Sequence, residues 1–441
     1  MPMKIAVVGT GYVGLTTCVG LADFGNHVVG VDIDREKVAR LSAGDPVIYE
    51  AGLEYYLREN LAAGRLSFTT SMKEALRDAE VVFLAVGTPE KENGEADLSQ
   101  IEAVLEELAP LIDHYLVVVT KSTVPVGTNR WIHEELSRMV DPRLFDVVSN
   151  PEFLREGKAI QDFFHPNRVV IGYENERVKE VMHEIYRPLY LIETPFVWCS
   201  WETAELIKYA ANAFLATKIS FINQVANLAE EVGADVHVIA KAMGMDGRIS
   251  PKFLHPGPGF GGSCFPKDTK ALVKIGERYG VDLSLVREVI RANEAQRVRM
   301  VEKAKRLLGG SLEGRRIAVL GLAFKAETDD VRETPAYPII RAMLEEGAVV
   351  CAHDPLAMEN FRRLVPSIEY AENEYEAARG ADLVLICTEW NEYRNLDLER
   401  VAELMRERKI LDTRNVLDPE RARKTGFVYE GVGRILFRGK R

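Results

Sequence analysis

The sequence contains no run of roughly 18 apolar residues, the length a membrane-spanning helix needs. Its five cysteines (Cys18, Cys199, Cys264, Cys351 and Cys387) are odd in number, scattered and never arranged as C-x-x-C. That argues against both a disulfide framework and a zinc site. Basic charge is not in excess either: 56 Lys and Arg face 67 Asp and Glu, for a net charge of −11. A phosphate backbone or an anionic membrane demands the opposite balance, so neither nucleic acid nor membrane is an expected partner. Low-complexity tracts and solenoid-period repeats are missing. Met1-Pro2-Met3-Lys4 runs straight into a strand-like segment rather than a secretory leader. What is there is 47% hydrophobic and 28% charged residues spread along 441 positions, enough for two or three packed domains. The expectation is a cytoplasmic protein with reduced thiols and no metal.

Hydrophobic periodicity divides the chain. Apolar strand runs at 4–8, 27–32, 81–86, 116–120 and 145–149 alternate with helix-period segments. A second series lies at 316–320, 349–353, 382–387 and 410–413. The alternation predicts βαβ units, hence two Rossmann-like, doubly wound α/β domains with parallel sheets covered on both faces. Between them, Ile207, Ala211, Phe214, Ile222, Val225 and Ala229 recur on one face of a long helix over 200–232. Ser200 can cap it, Glu202 and Glu205 suit its positive end, and Gly233 can stop it. A second long helix is expected over 284–308, ended by Gly309-Gly310. The expected domains are 1–198 (dinucleotide-binding), 199–309 (central, helical) and 310–441 (a second Rossmann-like domain).

Gly9-Thr10-Gly11-Tyr12-Val13-Gly14 follows the first strand and opens a helix. Gly9 permits the tight turn, Gly11 lets backbone approach a pyrophosphate, and Gly14 allows helix and strand to pack closely. The unpaired N–H groups of the helix N-terminus then face the phosphates. Asp32 closes the second strand, where a carboxylate can hold ribose hydroxyls and repel a 2′-phosphate. NAD is therefore favoured over NADP, a preference that Arg35 and Lys37 weaken without reversing. Later strand ends carry Gly87-Thr88-Pro89, Lys121-Ser122-Thr123-Val124-Pro125 and Ser149-Asn150-Pro151-Glu152 on the same rim. Any one of these could be ordinary turn chemistry; their common location raises Thr123 and Glu152 as site residues.

The segment from Phe253 through Leu254, His255, Pro256, Gly257, Gly259 and Gly261 to Cys264 is too rich in glycine and proline for a helix or a central strand. Pro266 fits the first position of a following helix, which sets Cys264 just ahead of a helix N-terminus. The dipole and adjacent Lys267 favour its thiolate. A lone cysteine is more often a buried structural residue, but a glycine-rich loop is a poor place for one.

These motifs together resemble the UDP-glucose/GDP-mannose dehydrogenase family. The resemblance rests on the first fingerprint with Tyr12-Val13, on Ser122-Thr123-Val124-Pro125 and Asn150-Pro151-Glu152-Phe153-Leu154, and on Glu205-Leu206-Ile207-Lys208-Tyr209-Ala210-Ala211-Asn212. It continues through Gly261-Gly262-Ser263-Cys264-Phe265-Pro266-Lys267-Asp268 and Gly321-Leu322-Ala323-Phe324-Lys325 to Asp329-Asp330-Val331-Arg332. Ala51, Asn167 and Ala326 depart from common family residues and bear on local loop shape only.

The resemblance implies oxidation of UDP-glucose twice at C6, consuming two NAD⁺ and one water and giving UDP-glucuronate. Cys264 would be the nucleophile, forming a thiohemiacetal and then a thioester. One NAD pocket serves both steps, so the first NADH must leave while the intermediate is retained. Lys208 and Asn212, four apart on one helical face, would both stabilise the oxyanion at C6. Asp268 and Thr123 would order water, and Glu152 would be the base for thioester hydrolysis. Whether Asp268 or Lys208 takes the first alcohol proton stays open. Lys37, Thr88, Thr123, Glu156, Lys267 and Arg332 match cofactor contacts. Glu152, Phe153, Leu154, Lys208, Asn212 and the loop residues Phe253, Leu254, His255, Pro256, Gly257 and Gly261 match substrate contacts, as do Lys325 and Arg414. Arg248 matches a residue that reaches the neighbouring subunit's sugar site, which implies a homodimer or an assembly of dimers. The alternatives are the same chemistry on GDP-mannose or a UDP-N-acetylhexosamine, a two-electron hydroxyacid dehydrogenase with no need of Cys264, and an NAD-sensing binding module.

Overall fold

The computed structural model describes residues 2–434; positions 435–441, the end of the third expected domain, lie outside the described residues. The first sheet is built from β1 (Lys4–Val8), β2 (His27–Val31), β3 (Leu66–Thr69), β4 (Val81–Leu84), β5 (Leu116–Thr120), β6 (Phe145–Ser149), β7 (Val169–Gly172) and β8 (Phe196–Cys199). Their order is β3-β2-β1-β4-β5-β6-β7-β8. The first six strands pair in parallel, as the alternation predicts. The all-parallel expectation is corrected at the edge, where β7 meets β6 antiparallel through Ser149 and Gly172, and β8 then runs parallel to β7.

The second sheet uses β9 (Arg316–Leu320), β10 (Val349–His353), β11 (Glu369–Tyr370), β12 (Leu383–Ile386), β13 (Lys409–Asp412) and β14 (Val428–Glu430). Its order, β11-β10-β9-β12-β13-β14, repeats that of the first six strands of the other sheet, and all its pairs are parallel. Strand order reverses beside β1 in one sheet and beside β9 in the other. The crevice at such a switch point, outside the carboxyl ends of the strands, is where this topology binds ligands.

Alternation decides which face each residue feeds. Ile5, Val7, Phe83, Val117 and Val119 pack into one core of the first sheet, whereas Ala6, Val8, Val82, Leu84 and Val118 pack into the other. In the second sheet Ala318 and Leu320 face one core, and Ile317 and Val319 the opposite one. That opposite core also takes Ile222, Ala226 and Ala229 from the first long helix and Met300, Val301 and Ala304 from the second. The central helices and the second sheet thus share one core. By compactness the chain forms two units, Met1–Ala211 and Asn212–Arg441, and the helix Trp201–Val232 carries residues of both.

Helix ends follow the expected chemistry with three corrections. Ser200 Oγ accepts from the Thr203 N–H at 3.3 Å, and Gly233 ends the helix at φ +72°. Gly309 and Gly310, at φ +86° and +99°, end the second long helix Ser284–Leu307. Glu205, however, does not serve its own helix dipole. It is buried, and accepts from the backbone N–H groups of Gly127 (2.6 Å) and Asn129 (2.7 Å) at the start of the helix Thr128–Met139. Pro266 is the second residue of the helix Phe265–Arg278 rather than its first, and Cys264 is the N-cap itself. Asp32 lies one residue past β2, in the turn. Among the described residues no helix is long and apolar enough to cross a membrane.

Candidate active site

The turn after β1 is shaped by what its glycines lack. Gly9 sits at φ +91°, and an added Cβ would lie 2.8 Å from the Ala85 carbonyl oxygen. A Cβ on Gly14 would fall 1.7 Å from the Gly9 carbonyl oxygen. At Gly11, the N-cap of the helix Tyr12–Asp23, no described atom lies within 4 Å of that position. An open approach to a helix N-terminus fits the pyrophosphate of a dinucleotide. Val13 continues that first turn, half-buried.

Asp32 is already engaged: its Oδ2 accepts from Thr10 N–H (3.0 Å), Thr10 Oγ1 (2.7 Å) and Lys37 Nζ (2.7 Å). Burial alone would raise its pKa; the bonds from Lys37, Thr10 and the Asp34 backbone outweigh it and hold the carboxyl at about 2. It is a fixed negative charge. The Tyr12 hydroxyl donates to Glu50, whose carboxylate also takes the N–H groups of Gly157 (2.7 Å) and Ala159 (2.9 Å). Glu50 thereby ties the cofactor turn to the segment after Glu152. Glu156, in that segment, is half-buried and adds its charge to the burial and the Glu50 bond that push the Tyr12 phenol well above its usual range. Thr88 Oγ1 donates to the Thr123 carbonyl at 2.8 Å, linking two of the rim turns, while the Thr123 side chain is half-buried.

At the end of β6 the first unit gathers buried charge. Lys208 Nζ lies 3.0 Å from Glu152 Oε1, and both side chains are less than a tenth exposed. The other Glu152 oxygen accepts the Leu154 N–H. The Phe153 ring carries Arg168 on its face, 3.4 Å from guanidinium carbon to centroid, with Lys208 Nζ 5.3 Å away. Lys121, which the sequence reading passed over, is buried here with its Nζ on Asn150 Oδ1 (3.1 Å) and Tyr186 OH (3.4 Å).

The second unit holds the cysteine loop. Cys264 caps its helix, and the Ser263 hydroxyl is 3.6 Å from its sulfur. Asp268, one turn on and buried, accepts from Asn212 Nδ2 (2.6 Å) and Lys267 Nζ (2.7 Å). Lys267 is therefore bonded to Asp268. The loop is pinned by polar side chains of the two long helices. Asn223 accepts the Gly257 N–H (2.8 Å), Gln296 donates to the Gly257 carbonyl (2.9 Å), and Asn293 bonds both backbone groups of Phe260 (2.7 and 3.0 Å). A Cβ on Gly261 would meet the Glu333 carbonyl oxygen at 2.2 Å, so only glycine fits. Leu254, Pro256, Gly257 and Gly261 are buried, Phe253 is half-buried with φ +63°, and His255 is exposed.

Arg414 follows β13, donating to the Cys387 and Phe324 carbonyls (2.8 Å each) and pairing with Glu389. Its guanidinium lies 3.5 Å from where a Gly257 Cβ would be, so loop and second sheet meet there. Lys325 Nζ stands 5.4 Å from the Phe324 ring centroid. Arg332 pairs with Asp330 at 2.7 Å while its carbonyl accepts the Gly262 N–H at 3.0 Å. Arg248 is not gathered with these: its guanidinium is largely exposed and holds Asp246 at 2.6 Å.

The bracing residues had one legible signal. Asn293 and Gln296 are polar on the buried face of a helix whose neighbours there are Val289 and Met300. Buried polar groups must find partners, and these find loop backbone.

Residues 3–190 match the NAD binding domain of the UDP-glucose/GDP-mannose dehydrogenase family, 202–295 its central domain and 318–419 its UDP binding domain. The UDP-glucose 6-dehydrogenase of Rhizobium meliloti (strain 1021) is 48% identical over 436 residues, covering 98% of this chain and all of that relative. A UDP-glucose dehydrogenase structure from Pyrobaculum islandicum superposes with a TM-score of 0.92 at 41% identity, covering 98% of each chain. The UDP-D-ManNAc dehydrogenase structure from Pyrococcus horikoshii gives 0.87 at 28% identity, covering 98% of this chain and 99% of that one. Matched along its length by all three parts of one family, the chain belongs to the UDP-glucose/GDP-mannose dehydrogenase family and is an NAD-dependent oxidoreductase.

Proposed function

We propose that this enzyme oxidises UDP-glucose at C6 to UDP-glucuronate through intermediates covalently held by Cys264. The observation that carries the reading is the cysteine itself: a helix N-cap in a loop pinned by four polar contacts, beside the buried Asn212–Asp268 pair. NAD⁺, bound at the Gly9–Gly14 turn, supplies a hydride acceptor. In the first oxidation C6 gives up a hydride and its hydroxyl a proton, leaving an aldehyde. Cys264 Sγ adds to that carbon, and its proton ends on oxygen, giving a thiohemiacetal. Loss of a second hydride and the hydroxyl proton leaves a thioester. Glu152 draws a proton from water, which attacks; the C–S bond breaks and the thiolate returns. Lys208 and Asn212 donate to the negative oxygen as it forms.

The matching substrate contacts are Lys325 and Arg414, which suit phosphate or sugar oxygens, together with the braced loop and Phe153-Leu154. The division of labour is cofactor in 1–198, nucleophile and dimer contact in 199–309, and UDP in 310–441. A dimer suits the long helix, where Phe214, Phe221 and Leu228 recur every seven residues and are 66%, 49% and 62% exposed. Such a stripe marks a partner-binding face.

NADH yield tests the reading: two per UDP-glucose consumed, with GDP-mannose and UDP-N-acetylglucosamine inert. A yield of one would mean a two-electron enzyme. Cys264→Ala should lose UDP-glucuronate formation by several orders of magnitude, on the scale of losing a covalent nucleophile. It should still reduce the 6-aldehyde with NADH, a step that needs no thiol. Aldehyde oxidation at the unmodified rate would show that a hydrate, not a thiohemiacetal, loses the second hydride.

A further inference from the structure

We infer that Arg168, stacked on the Phe153 ring with its hydrogen-bond donors unused, binds the C6 carboxylate that the reaction creates. The inference rests on the oxidation of UDP-glucose at C6 proposed above.

Topology brings this residue to the rim. Arg168 immediately precedes β7, the strand that meets its neighbour β6 antiparallel, through Ser149 and Gly172. A parallel strand would begin at the far edge of the sheet. Reversed, β7 begins beside the segment that leaves the carboxyl end of β6, where Glu152 and Phe153 lie. The bond from Asn150 Nδ2 to the Val170 carbonyl, 2.8 Å, holds the two strands in that register. Just beyond it Arg168 and Phe153 meet, with the guanidinium carbon 3.4 Å from the ring centroid.

Stacking uses the face of a guanidinium; its N–H donors lie in the plane and stay available. Among the described residues no group accepts a hydrogen bond from the Arg168 side chain. Arg278, Arg362 and Arg400 also stack on rings without an acceptor, but they are exposed and water serves them. Arg168 is half-buried, so its charge has lost part of its water without gaining a protein anion. The nearby charges indicate which ligand oxygen completes it. Lys208 Nζ stands 5.3 Å from the same ring centroid and is already paired with Glu152 at 3.0 Å. The C6 alcohol is neutral, whereas the product carries a new carboxylate at that carbon, set down close to Glu152. Arg168 is the cation left to balance it, and a planar fork suits a carboxylate through two parallel N–H···O bonds.

Arg168→Gln removes the charge and keeps a donor, and Arg168→Lys keeps the charge and loses the fork and the stack. Calorimetric titration of the full-length enzyme with UDP-glucuronate, UDP-glucose and UDP reads the effect. In Arg168→Gln the affinity for UDP-glucuronate should fall at least about tenfold, while those for UDP-glucose and UDP stay within about twofold of the parent. Arg168→Lys should show the same selective loss to a smaller degree, and it serves alone if the glutamine variant does not fold. Inhibition by UDP-glucuronate against UDP-glucose should weaken in step. A purely structural role, in which Arg168 only seats Phe153, would weaken all three ligands together. That result, or an unchanged affinity for UDP-glucuronate, overturns the inference. The parent enzyme separates the two claims. If it forms no UDP-glucuronate from UDP-glucose, the proposed reaction fails and the inference with it. If it forms UDP-glucuronate and both variants keep the parent's ratio of affinities, the role of Arg168 alone fails.

Discussion

Asp32 and Glu205 show how the same carboxyl group is shifted in opposite directions by its surroundings. The bonds to Thr10 and Lys37 keep Asp32 ionised, so in the proposed cofactor site it would oppose a 2′-phosphate at every working pH. Asp32→Ala removes that repulsion and frees the Lys37 ammonium to attract the phosphate. The NAD⁺ over NADP⁺ ratio of kcat/KM should fall at least about tenfold; an unchanged ratio in the variant would remove Asp32 from cofactor choice. Glu205 is pushed the other way, to about 7, chiefly by burial that its bonds to Asn129 and Gly127 only partly offset. Its folded pKa exceeds its unfolded one, so its contribution to stability is full below about pH 4.5 and is lost as pH rises through 7. The loss is on the order of 3 kcal/mol. Stability measured by denaturant should therefore decline from pH 5 to 8 more steeply in the parent than in Glu205→Gln. Parallel curves would mean the carboxylate is ionised throughout.

At the scale of elements, the turn after β1 separates binding from folding within six residues. Gly14→Ala places a Cβ 1.7 Å from the Gly9 carbonyl oxygen, so the helix must leave the strand. Several kcal/mol of stability should go with it, read as a fall in Tm. Gly11→Ala meets no described atom within 4 Å and should leave Tm unchanged while raising KM for NAD⁺ severalfold or more, because in the proposed cofactor site the methyl would stand where the pyrophosphate approaches. Equal losses of Tm in the two variants would contradict this reading of the turn. The strands were legible where they were long and apolar. β3, with a half-exposed face, β11, of two residues, and the edge strands β8 and β14 carry too little apolar periodicity to stand out. They are strands because a parallel neighbour holds them.

At the scale of the whole molecule the proposed dimer can be tested. If the chain dimerises as proposed through Phe214, Phe221 and Leu228, Phe221→Glu puts a charge into that apolar stripe and should shift sedimentation from dimer to monomer, with activity falling alongside. Arg248, exposed within its own chain, is expected to serve the partner's sugar site. Mixing Arg248→Ala with Cys264→Ala should then restore part of the activity, since some mixed dimers carry one intact site. With subunit exchange shown independently, no recovery would place Arg248 outside the partner's chemistry.

Sequence alone determined what depends on neighbours along the chain. The glycine fingerprint opens its helix, the parallel strands alternate in register, the long helices start and stop at Ser200, Gly233 and Gly309, and Cys264 sits at a helix start. Spacing encodes these because backbone geometry converts it directly into faces and turns. Tertiary structure decided which charges meet. Lys267 turns to Asp268, Glu205 caps a helix begun 77 residues earlier at Thr128, and Asn293 and Gln296 brace a loop more than thirty residues away. Lys121 reads in the sequence as one more rim lysine; only the fold buries it beside Asn150, 29 residues on. Burial and charge pairing set these roles, and both depend on distance through space, which no local pattern records.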